Sequence, residues 1–267
     1  MTDLAAALER FTAYYQPIVD LNTGAVAGLE TLGRIVTSDG SVQSIGPIIE
    51  QIESDPVLLE RLGWRLLEAI KRDIAPLLAR YADFWVSVNV PPAILGSEKI
   101  LDMMRTLDMF NDVERIVCEI TERQALSPEG RAALELARNK RIRLAVDDFG
   151  TGQSGLSQLL GLNIDVLKID RSQVLPLLKD QTADRLVRGV IALAALIRAR
   201  VVAEGVETAA QAFFLLAAGV DYGQGWFWSP ALPAAELPRV IENGFPNWRR
   251  DMLALLERRI GENQQRV

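Results

Sequence analysis

Short runs rich in β-branched residues alternate with longer segments of helical periodicity along most of this chain. Eight strands are predicted, at residues 13–19, 25–34, 84–90, 116–120, 143–147, 166–169, 201–203 and 222–223. Helices are predicted at residues 56–81, 99–108, 128–139, 156–160, 181–199 and 209–218. This alternation is typical of βα units arranged around a largely parallel sheet.

The first two predicted strands are separated only by residues 20–24, which favour a tight turn. Strands joined so closely pair antiparallel. No long linker, low-complexity tract or repeat marks a domain boundary. We therefore predict one α/β domain over residues 1–267, a (β/α)8-type, TIM-like barrel with an antiparallel strand near its start. Its core is expected at about residues 10–245, followed by a C-terminal helix at about residues 246–262.

Composition narrows the chemistry that such a barrel can carry. The 267 residues have a net charge of −6, which argues against a broad basic surface for long nucleic acids. A single cysteine, Cys118, excludes disulfide scaffolds and cysteine-based zinc sites within one chain. The chain contains no histidine, so any metal must be held by oxygen ligands. Such ligands favour a hard cation, Mg²⁺ or Mn²⁺.

No segment of the sequence resembles a leader peptide or a membrane span. Residues 1–11 are amphipathic and include Asp3 and Glu9, unlike a signal peptide. No apolar run approaches the roughly 20 residues that a spanning helix needs. A cytoplasmic protein without a membrane segment is therefore expected.

Acidic and polar residues recur where the predicted strands end. They are Glu30, Asn89, Glu119, Glu122, Asp147, Asp148, Lys168, Glu204 and Gln224. The carboxyl ends of the strands of a parallel barrel converge on one face, where barrel enzymes place their active sites. Carboxylates brought together there raise one another's pKa unless cations lie between them. The pattern therefore predicts a site for one or two divalent cations.

Each of these residues taken alone has a simpler interpretation. A single glutamate at a strand end is usually a solvated loop charge, and Asn89 could be a turn residue. Asp147 and Asp148 could form a turn with a helix cap. Lys168 and Asp170 could form an ion pair at the rim, which would stabilise the protein little. Their recurrence at one end of consecutive strands favours a shared site.

Several segments match a known family in order and spacing. They read Ser87-Val88-Asn89-Val90, Glu119-Ile120-Thr121-Glu122, Asp147-Asp148-Phe149-Gly150-Thr151-Gly152, Leu167-Lys168-Ile169-Asp170 and Val202-Ala203-Glu204-Gly205-Val206-Glu207-Thr208. From Tyr15 to Pro233 the chain resembles the EAL-domain family of cyclic di-GMP phosphodiesterases. The resemblance implies metal-dependent hydrolysis of one phosphodiester bond of cyclic di-GMP, which yields linear pGpG.

The resemblance also implies a set of metal ligands. One Mg²⁺ or Mn²⁺ ion would be held by Glu30, Asn89, Glu119 and Asp147. A second ion would be held by Asp147, Asp148 and Glu204, with Asp147 bridging the two ions. A water between the ions would be the nucleophile.

Further roles follow from the same resemblance. Lys168 would orient or polarise the water, and either Glu204 or Asp148 would accept its proton. Glu122 would hold the loop at residues 148–157 by hydrogen bonds. The residues expected to contact the substrate are Gln16, Leu32, Arg34, Asn89, Asp170 and Gln224. The Arg34 guanidinium suits a phosphate oxygen.

The chain departs from the family pattern at a few positions. The signature triplet reads Glu30-Thr31-Leu32, with threonine in place of alanine. Because Thr31 alternates away from Glu30 on a strand, we expect a change in packing and not a lost ligand. Gln153 and Gly155 replace a tyrosine and a serine in the loop that the family uses for dimer contacts and metal coordination. Near the end, Trp228 replaces a phenylalanine and Pro230-Ala231 a basic residue followed by proline, which could alter guanine contacts.

Three functions are compatible with these features. The complete acidic set favours an active phosphodiesterase. The altered loop allows a catalytically weak or inactive receptor that binds cyclic di-GMP and signals to a partner. A scaffold without a nucleotide ligand leaves the acidic set without a purpose. A homodimer through residues after Asp148 is also expected from the family.

Overall fold

The computed structural model describes residues 4–150, 161–245 and Trp248. Eight strands form a closed barrel: β1 (Phe11–Asp20), β2 (Val26–Val36), β4 (Trp85–Asn89), β5 (Ile116–Thr121), β6 (Arg143–Phe149), β7 (Val166–Ile169), β8 (Arg200–Ala203) and β9 (Tyr222–Gly223). Two short strands, β3 (Val42–Ser44) and β10 (Leu232–Pro233), pair antiparallel with β2 and β1. Each of the eight predicted strands is confirmed as a strand of the barrel.

The barrel is parallel from β2 through β4 to β9, and β1 closes it by running antiparallel to both β2 and β9. The turn between β1 and β2 is stabilised by Asp20, whose Oδ1 accepts hydrogen bonds from the amides of Asn22 and Thr23 at 2.8 and 2.9 Å. Gly24 follows with a φ of +74°, which glycine adopts readily. The antiparallel start predicted from the short connection is therefore confirmed.

Helices connect and cover the strands. They are α1 (Leu4–Glu9), α2 (Gly46–Glu53), α3 (Pro56–Asp73), α4 (Ala75–Arg80), α5 (Glu98–Thr106), α6 (Glu122–Leu126), α7 (Pro128–Asn139), α8 (Arg171–Val174), α9 (Gln181–Ile197), α10 (Ala209–Ala218) and α11 (Leu237–Asn243). The bounds predicted for α7 and α10 are confirmed, and those of α5 and α9 differ by two residues or fewer. The helices predicted at residues 156–160 and at about residues 246–262 lie outside the described residues, apart from Trp248.

The single helix predicted at residues 56–81 is wrong, because the structure divides it into α3 and α4 at Ile74. Pro76 stands in the first turn of α4. A proline there has no amide proton to donate and its ring would clash with the preceding turn of a continuous helix. Helical periodicity continued across this point, so the proline was the only sign of the break.

Packing begins before residue 10, where the sequence placed the start of the core. Leu8 of α1 is fully buried, and Ala7 is nearly so. They join a cluster made with Ile35, Ile45, Ile52 and Leu62. Helix α1 therefore packs against the same side of the barrel as α2 and α3.

The lower interior of the barrel is apolar. The barrel floor consists of Ile18, Trp85, Val117, Ala145, Val166 and Val202. Side chains two positions apart on a strand point to the same side, so the residues two positions further along these strands also face the interior. On β5 to β8 those residues are charged, and they form the site described below. Within the described ranges, no helix combines the length and hydropathy that a membrane span requires.

Candidate functional site

Four carboxylates from four strands surround one buried lysine inside the barrel. Lys168 is 1% exposed, and its Nζ lies 2.6 Å from Glu204 Oε1, 2.8 Å from Glu119 Oε2, 3.3 Å from Asp147 Oδ1 and 3.6 Å from Glu30 Oε1. We call Glu30, Glu119, Asp147, Lys168 and Glu204 the charged layer. Residues up to 174 positions apart in sequence meet here because β2, β5, β6, β7 and β8 end at the same face of the barrel.

Asp147 and Asp148 are consecutive, yet both contribute to this face. The pairing of β6 with β7 shifts register between Val146 and Phe149, and Asp148 has a φ of +56°. A bulge of this kind redirects a side chain that regular alternation would send to the opposite face. Ligand oxygens of Asp147, Asp148 and Glu204 consequently lie within 4.8 Å of one another. This trio is the set implied for the second metal ion.

A chain of amide side chains extends the site from the charged layer. Gln224 Nε2 donates to a carboxylate oxygen of Glu30 and to Gln16 Oε1, the latter at 3.0 Å. Gln16 Nε2 donates to the carbonyl of Ser229 at 3.1 Å. On the other side of Glu30, Asn89 Nδ2 lies 3.3 Å from Glu30 Oε1. Asn89 and Gln224 therefore contact the Glu30 carboxylate directly, and Gln16 is linked to it through Gln224; all three were named from the sequence.

The charged layer is electrostatically unbalanced. Burial raises the pKa of Glu204 to about 8 and raises that of Glu119 well above its usual range, although Lys168 opposes both shifts. Burial, together with the neighbouring Asp147, also raises the pKa of Asp148. Burial alone would lower the pKa of Lys168, but the surrounding carboxylates outweigh it and hold that pKa well above the usual value. Lys168 thus stays an ammonium, whereas the carboxyls need more positive charge than one lysine provides.

The donors of this site fit a hard divalent cation. Ionisation of all four carboxyls beside the one ammonium would leave three negative charges in a small buried volume, which a divalent cation would offset. Every candidate ligand is a carboxylate or amide oxygen, and the chain has no histidine. Burial raises the pKa of the Cys118 thiol to about 12, so no thiolate competes. Oxygen donors with excess negative charge match Mg²⁺ or Mn²⁺.

Glu122 lies beneath the start of the loop that follows β6. It is buried at the first position of α6, and its Oε2 accepts a hydrogen bond from the amide of Gly150 at 2.8 Å. The neighbouring Thr121 caps α6 through a capping box with Gln124, which fixes the start of the helix. Glu122 therefore contacts the loop through Gly150, as expected. Gln153 and Gly155, the departures within this loop, lie outside the described residues.

Two cavities open beside the charged layer. The first, of about 200 Å³, reaches Glu30, Asp147 and Glu204, and the second, of about 310 Å³, reaches Glu119 and Asn89. Leu32 lines both cavities. Arg34 lines the second cavity, where its guanidinium lies 5.8 Å from the centre of the Tyr14 ring and donates to the carbonyl of Gly33. Burial lowers the pKa of Arg34.

Asp170 occupies a different position from the other predicted residues. Its Oδ1 accepts a hydrogen bond from the Ser172 amide at 2.9 Å, so it caps α8. Asp170 is absent from the lining of both cavities. The ion pair of Lys168 with Asp170 considered from the sequence is wrong, because Lys168 is buried and pairs with carboxylates of the charged layer instead.

Three residues at the mouth of the first cavity were not predicted from the sequence. Arg171, Glu207 and Trp226 line it alongside Gln16, Leu32 and Gln224. Arg171 lies two residues after the end of β7 and Glu207 four residues after the end of β8, so their positions near strand ends were a usable signal. Trp226 is 68% exposed, and its hydrophobic character alone would have suggested a core residue.

The departures in the described part of the chain affect packing. Thr31 is 3% exposed, and its hydroxyl has no hydrogen-bond partner among the described residues. Trp228 is buried, with its ring centre 5.1 Å from that of Phe227 and 5.4 Å from that of Trp248. Pro230 is exposed. Thr31 lines the second cavity beside the charged layer. Trp228 and Pro230 line neither cavity.

Comparisons with known proteins agree with this geometry. A family model described as the EAL domain matches residues 2–231. Probable cyclic di-GMP phosphodiesterase PdeB of Escherichia coli strain K12 is 35% identical over 234 residues, which cover 86% of this chain and 44% of that protein. The chain thus spans less than half the length of this relative.

Solved structures show the same similarity. The PaMucR phosphodiesterase in its c-di-GMP complex is 29% identical with a TM-score of 0.78, covering 88% of this chain and 98% of that one. The EAL enzyme Bd1971, in a form with cAMP and cyclic di-GMP bound, is 29% identical with a TM-score of 0.80 and covers 89% of this chain and 67% of that one.

Proposed function

Because this chain belongs to the EAL domain family, we propose that it is a metal-dependent phosphodiesterase that hydrolyses cyclic di-GMP to linear pGpG. The observation that carries the proposal is the charged layer. Four carboxylates from four strands converge on one lysine, next to the trio of Asp147, Asp148 and Glu204. A scaffold has no need to bury so much unbalanced charge, which costs stability.

The cations would be held by the residues named for them. Glu30, Asn89, Glu119 and Asp147 would bind one Mg²⁺ or Mn²⁺, and Asp147, Asp148 and Glu204 a second. Divalent cations bound there would lower the pKa of water and stabilise the charge that develops on the phosphoryl oxygens.

The side chains of the protein would perform the remaining tasks. Lys168 stays protonated among carboxylates, so it would donate a hydrogen bond to the attacking water and would not act as a base. Glu204 and Asp148 are the two candidates for the acceptor of the water's proton. Glu204 lines the first cavity, and Asp148 lies beside it in the trio of carboxylates. Burial raises the pKa of both carboxyls, which makes their carboxylates stronger proton acceptors.

The two cavities would take the two halves of the cyclic dinucleotide, with the scissile phosphate at the charged layer between them. Leu32 lies between the cavities, and Gln16 and Gln224 line the first. Arg34 lines the second and has guanidinium N–H groups available for a phosphate oxygen. Glu122 would set the start of the loop at residues 148–157 through its hydrogen bond to the amide of Gly150. A role for Asp170 would be indirect, through the orientation of α8.

The test is hydrolysis of cyclic di-GMP by the purified protein with Mg²⁺ or Mn²⁺, followed by chromatography. Glu30→Ala is expected to lower kcat/KM by at least about 100-fold, because it removes a metal ligand and the partner of Gln224. Glu98→Ala is the matched control, since Glu98 is an exposed glutamate on α5. Chelation of divalent cations should abolish turnover in the wild type.

Two results would change the proposal. Full turnover by Glu30→Ala would contradict the ligand assignment. Saturable binding of cyclic di-GMP without product formation under either metal would identify the chain as a receptor.

A homodimer and a cytoplasmic location remain predictions from the sequence, as does the single domain over residues 1–267.

A further inference from the structure

Trp226 is a large aromatic side chain left open to solvent at the mouth of the first cavity. It is 68% exposed, whereas Trp85, Trp228 and Trp248 are buried. The same cavity is lined at its inner end by Glu30, Asp147 and Glu204. The indole thus stands at one end of a continuous space whose other end is the charged layer.

The backbone around Trp226 is held tightly. The amide of Val206 donates to the carbonyl of Gln224, and the amide of Phe227 donates to the carbonyl of Val206, each at 3.0 Å. A Cβ on Gly225 would lie only 2.1 Å from the carbonyl oxygen of Val206, so no larger residue allows this approach. The segment that carries Trp226 is therefore fixed to the segment that follows Glu204. The indole is therefore exposed because the hydrogen-bonded backbone holds Trp226 at this position.

Arg171 covers part of the indole. Its guanidinium carbon lies 5.3 Å from the centre of the Trp226 ring, and its Nη2 is 2.9 Å from Glu207 Oε1. Gly205 has a φ of +66°, and a Cβ there would lie 2.2 Å from Arg171 Cγ, so the arginine stem packs directly on glycine backbone. Arg171 is thus oriented by Glu207 and Gly205. The ring remains mostly exposed beyond this contact.

We propose that Trp226, backed by Arg171, is the stacking surface for one purine base of the substrate. This inference rests on the proposed function for the identity of the ligand. An open indole face binds a flat aromatic base well, and a cation stacked on the ring adds to the attraction. Trp226 and Glu204 line the same cavity of about 200 Å³. The base would hold the attached phosphate at the charged layer.

The test compares variants in binding and in turnover. Affinity for cyclic di-GMP is measured by calorimetry in a Glu204→Gln background, where turnover is blocked, and steady-state kinetics are measured in the wild-type background. Trp226→Ala should weaken binding by about 10- to 100-fold, the range expected for loss of one base–aromatic stack. KM should rise by a similar factor while kcat changes little, because the stack is present in both the ground state and the transition state. Trp226→Phe, which keeps an aromatic face, should restore most of the affinity.

Phe110 provides a matched control. It is also an exposed aromatic residue under an arginine, with the Arg105 guanidinium 5.2 Å from its ring centre, but it lines neither cavity. Phe110→Ala should leave affinity and KM unchanged. Tryptophan fluorescence adds a direct readout, since cyclic di-GMP should quench emission in the wild type and much less in Trp226→Phe.

The outcomes separate this inference from the proposed function. Normal hydrolysis with unchanged KM in Trp226→Ala would overturn the stacking surface and leave the phosphodiesterase intact. Binding that depends on Trp226 in a wild type without turnover would support the stacking surface and overturn the enzyme. Failure of the wild type to bind cyclic di-GMP would overturn both. Conversion of a dimer to a monomer by Trp226→Ala, with affinity unchanged, would identify the indole as an interface residue instead.

Discussion

The interior of the barrel contains two neighbouring layers built on the same strands with opposite chemistry. In the barrel floor, Val117, Ala145, Val166 and Val202 pack with Ile18 and Trp85. Two positions further along the same strands stand Glu119, Asp147, Lys168 and Glu204. Both layers are buried apart from the half-buried Glu204, and the alternation of side chains sends both to the interior. The backbone therefore treats the two layers alike, and only the side chains distinguish them.

The contrast between the two layers shows that the barrel floor stabilises the fold, whereas the charged layer costs stability and serves the site. Burial of the floor residues removes apolar surface from water at roughly 25 cal/mol per Å². Burial of the charged layer desolvates five ionisable groups, and the raised pKa values of Glu119 and Glu204 register that cost. Substitutions in the charged layer should consequently change both activity and stability, whereas substitutions in the barrel floor should change stability alone.

The largest effect is expected from Lys168→Met, which removes the ammonium and leaves four carboxylates together. Without divalent cations, the free energy of unfolding should fall by about 3–5 kcal/mol, as for other broken buried ion pairs. Turnover should fall by at least about 100-fold, because the charge that assists the attacking water is gone. Urea unfolding in chelator and hydrolysis with Mg²⁺ measure the two effects.

A double variant tests whether the stability lost in Lys168→Met comes from the unpaired carboxylates or from the changed packing of the side chain. Lys168→Met with Glu119→Gln removes both members of the 2.8 Å pair, so part of the lost stability should return while activity stays absent. Equal stability of Lys168→Met and the wild type in chelator would show that the charged layer is not under the electrostatic stress described here.

A smaller effect, confined to stability, is expected from Val117→Ala in the barrel floor. Val117 is fully buried, and loss of its two methyl groups should lower the free energy of unfolding by about 1–2.5 kcal/mol. The value of kcat should stay close to that of the wild type, because the residue does not line either cavity. A large loss of kcat without a loss of stability would mean that the two layers are coupled through the strands.

The smallest effect, measured over one pH unit, is a pH dependence of stability in the metal-free protein. Burial raises the pKa of Glu204 from 4.5 to about 8, so between these values the folded state retains a proton that the unfolded state has lost. The contribution of Glu204 to stability is then fullest below pH 4.5 and falls as the pH rises to about 8, with a slope of at most about 1.4 kcal/mol per pH unit for one proton. Urea midpoints in chelator at a series of pH values measure this slope.

Glu204→Gln is the control for that slope, since an amide has no proton to lose in this range. The slope should become shallower in this variant. Saturating Mg²⁺ should also flatten it, because cations favour the ionised carboxylates. A stability that rises through the same window in metal-free wild type would contradict the raised pKa of Glu204.

Prediction from the sequence succeeded where a local pattern carries the information. Short β-branched runs located all eight barrel strands, and acidic residues at their ends located the charged layer. Prediction failed where helical periodicity continues across a helix break. One helix was predicted at residues 56–81, but the chain forms two helices that meet at Ile74, with Pro76 in the first turn of the second. The substrate contact expected for Asp170 from the family resemblance stays a prediction, since its carboxylate caps α8 and lines neither cavity.

The sequence by itself determined the class of fold and the kinds of ligand available, because strand alternation, the absence of histidine and the spacing of the carboxylates are properties of the chain. Only the tertiary structure decided that Lys168 lies among four carboxylates, that a register shift turns Asp148 toward Asp147 and Glu204, and that Trp226 stands exposed at the cavity. These facts depend on the closure of the barrel. Closure fixes distances between strands that are remote in sequence, and no local pattern encodes those distances.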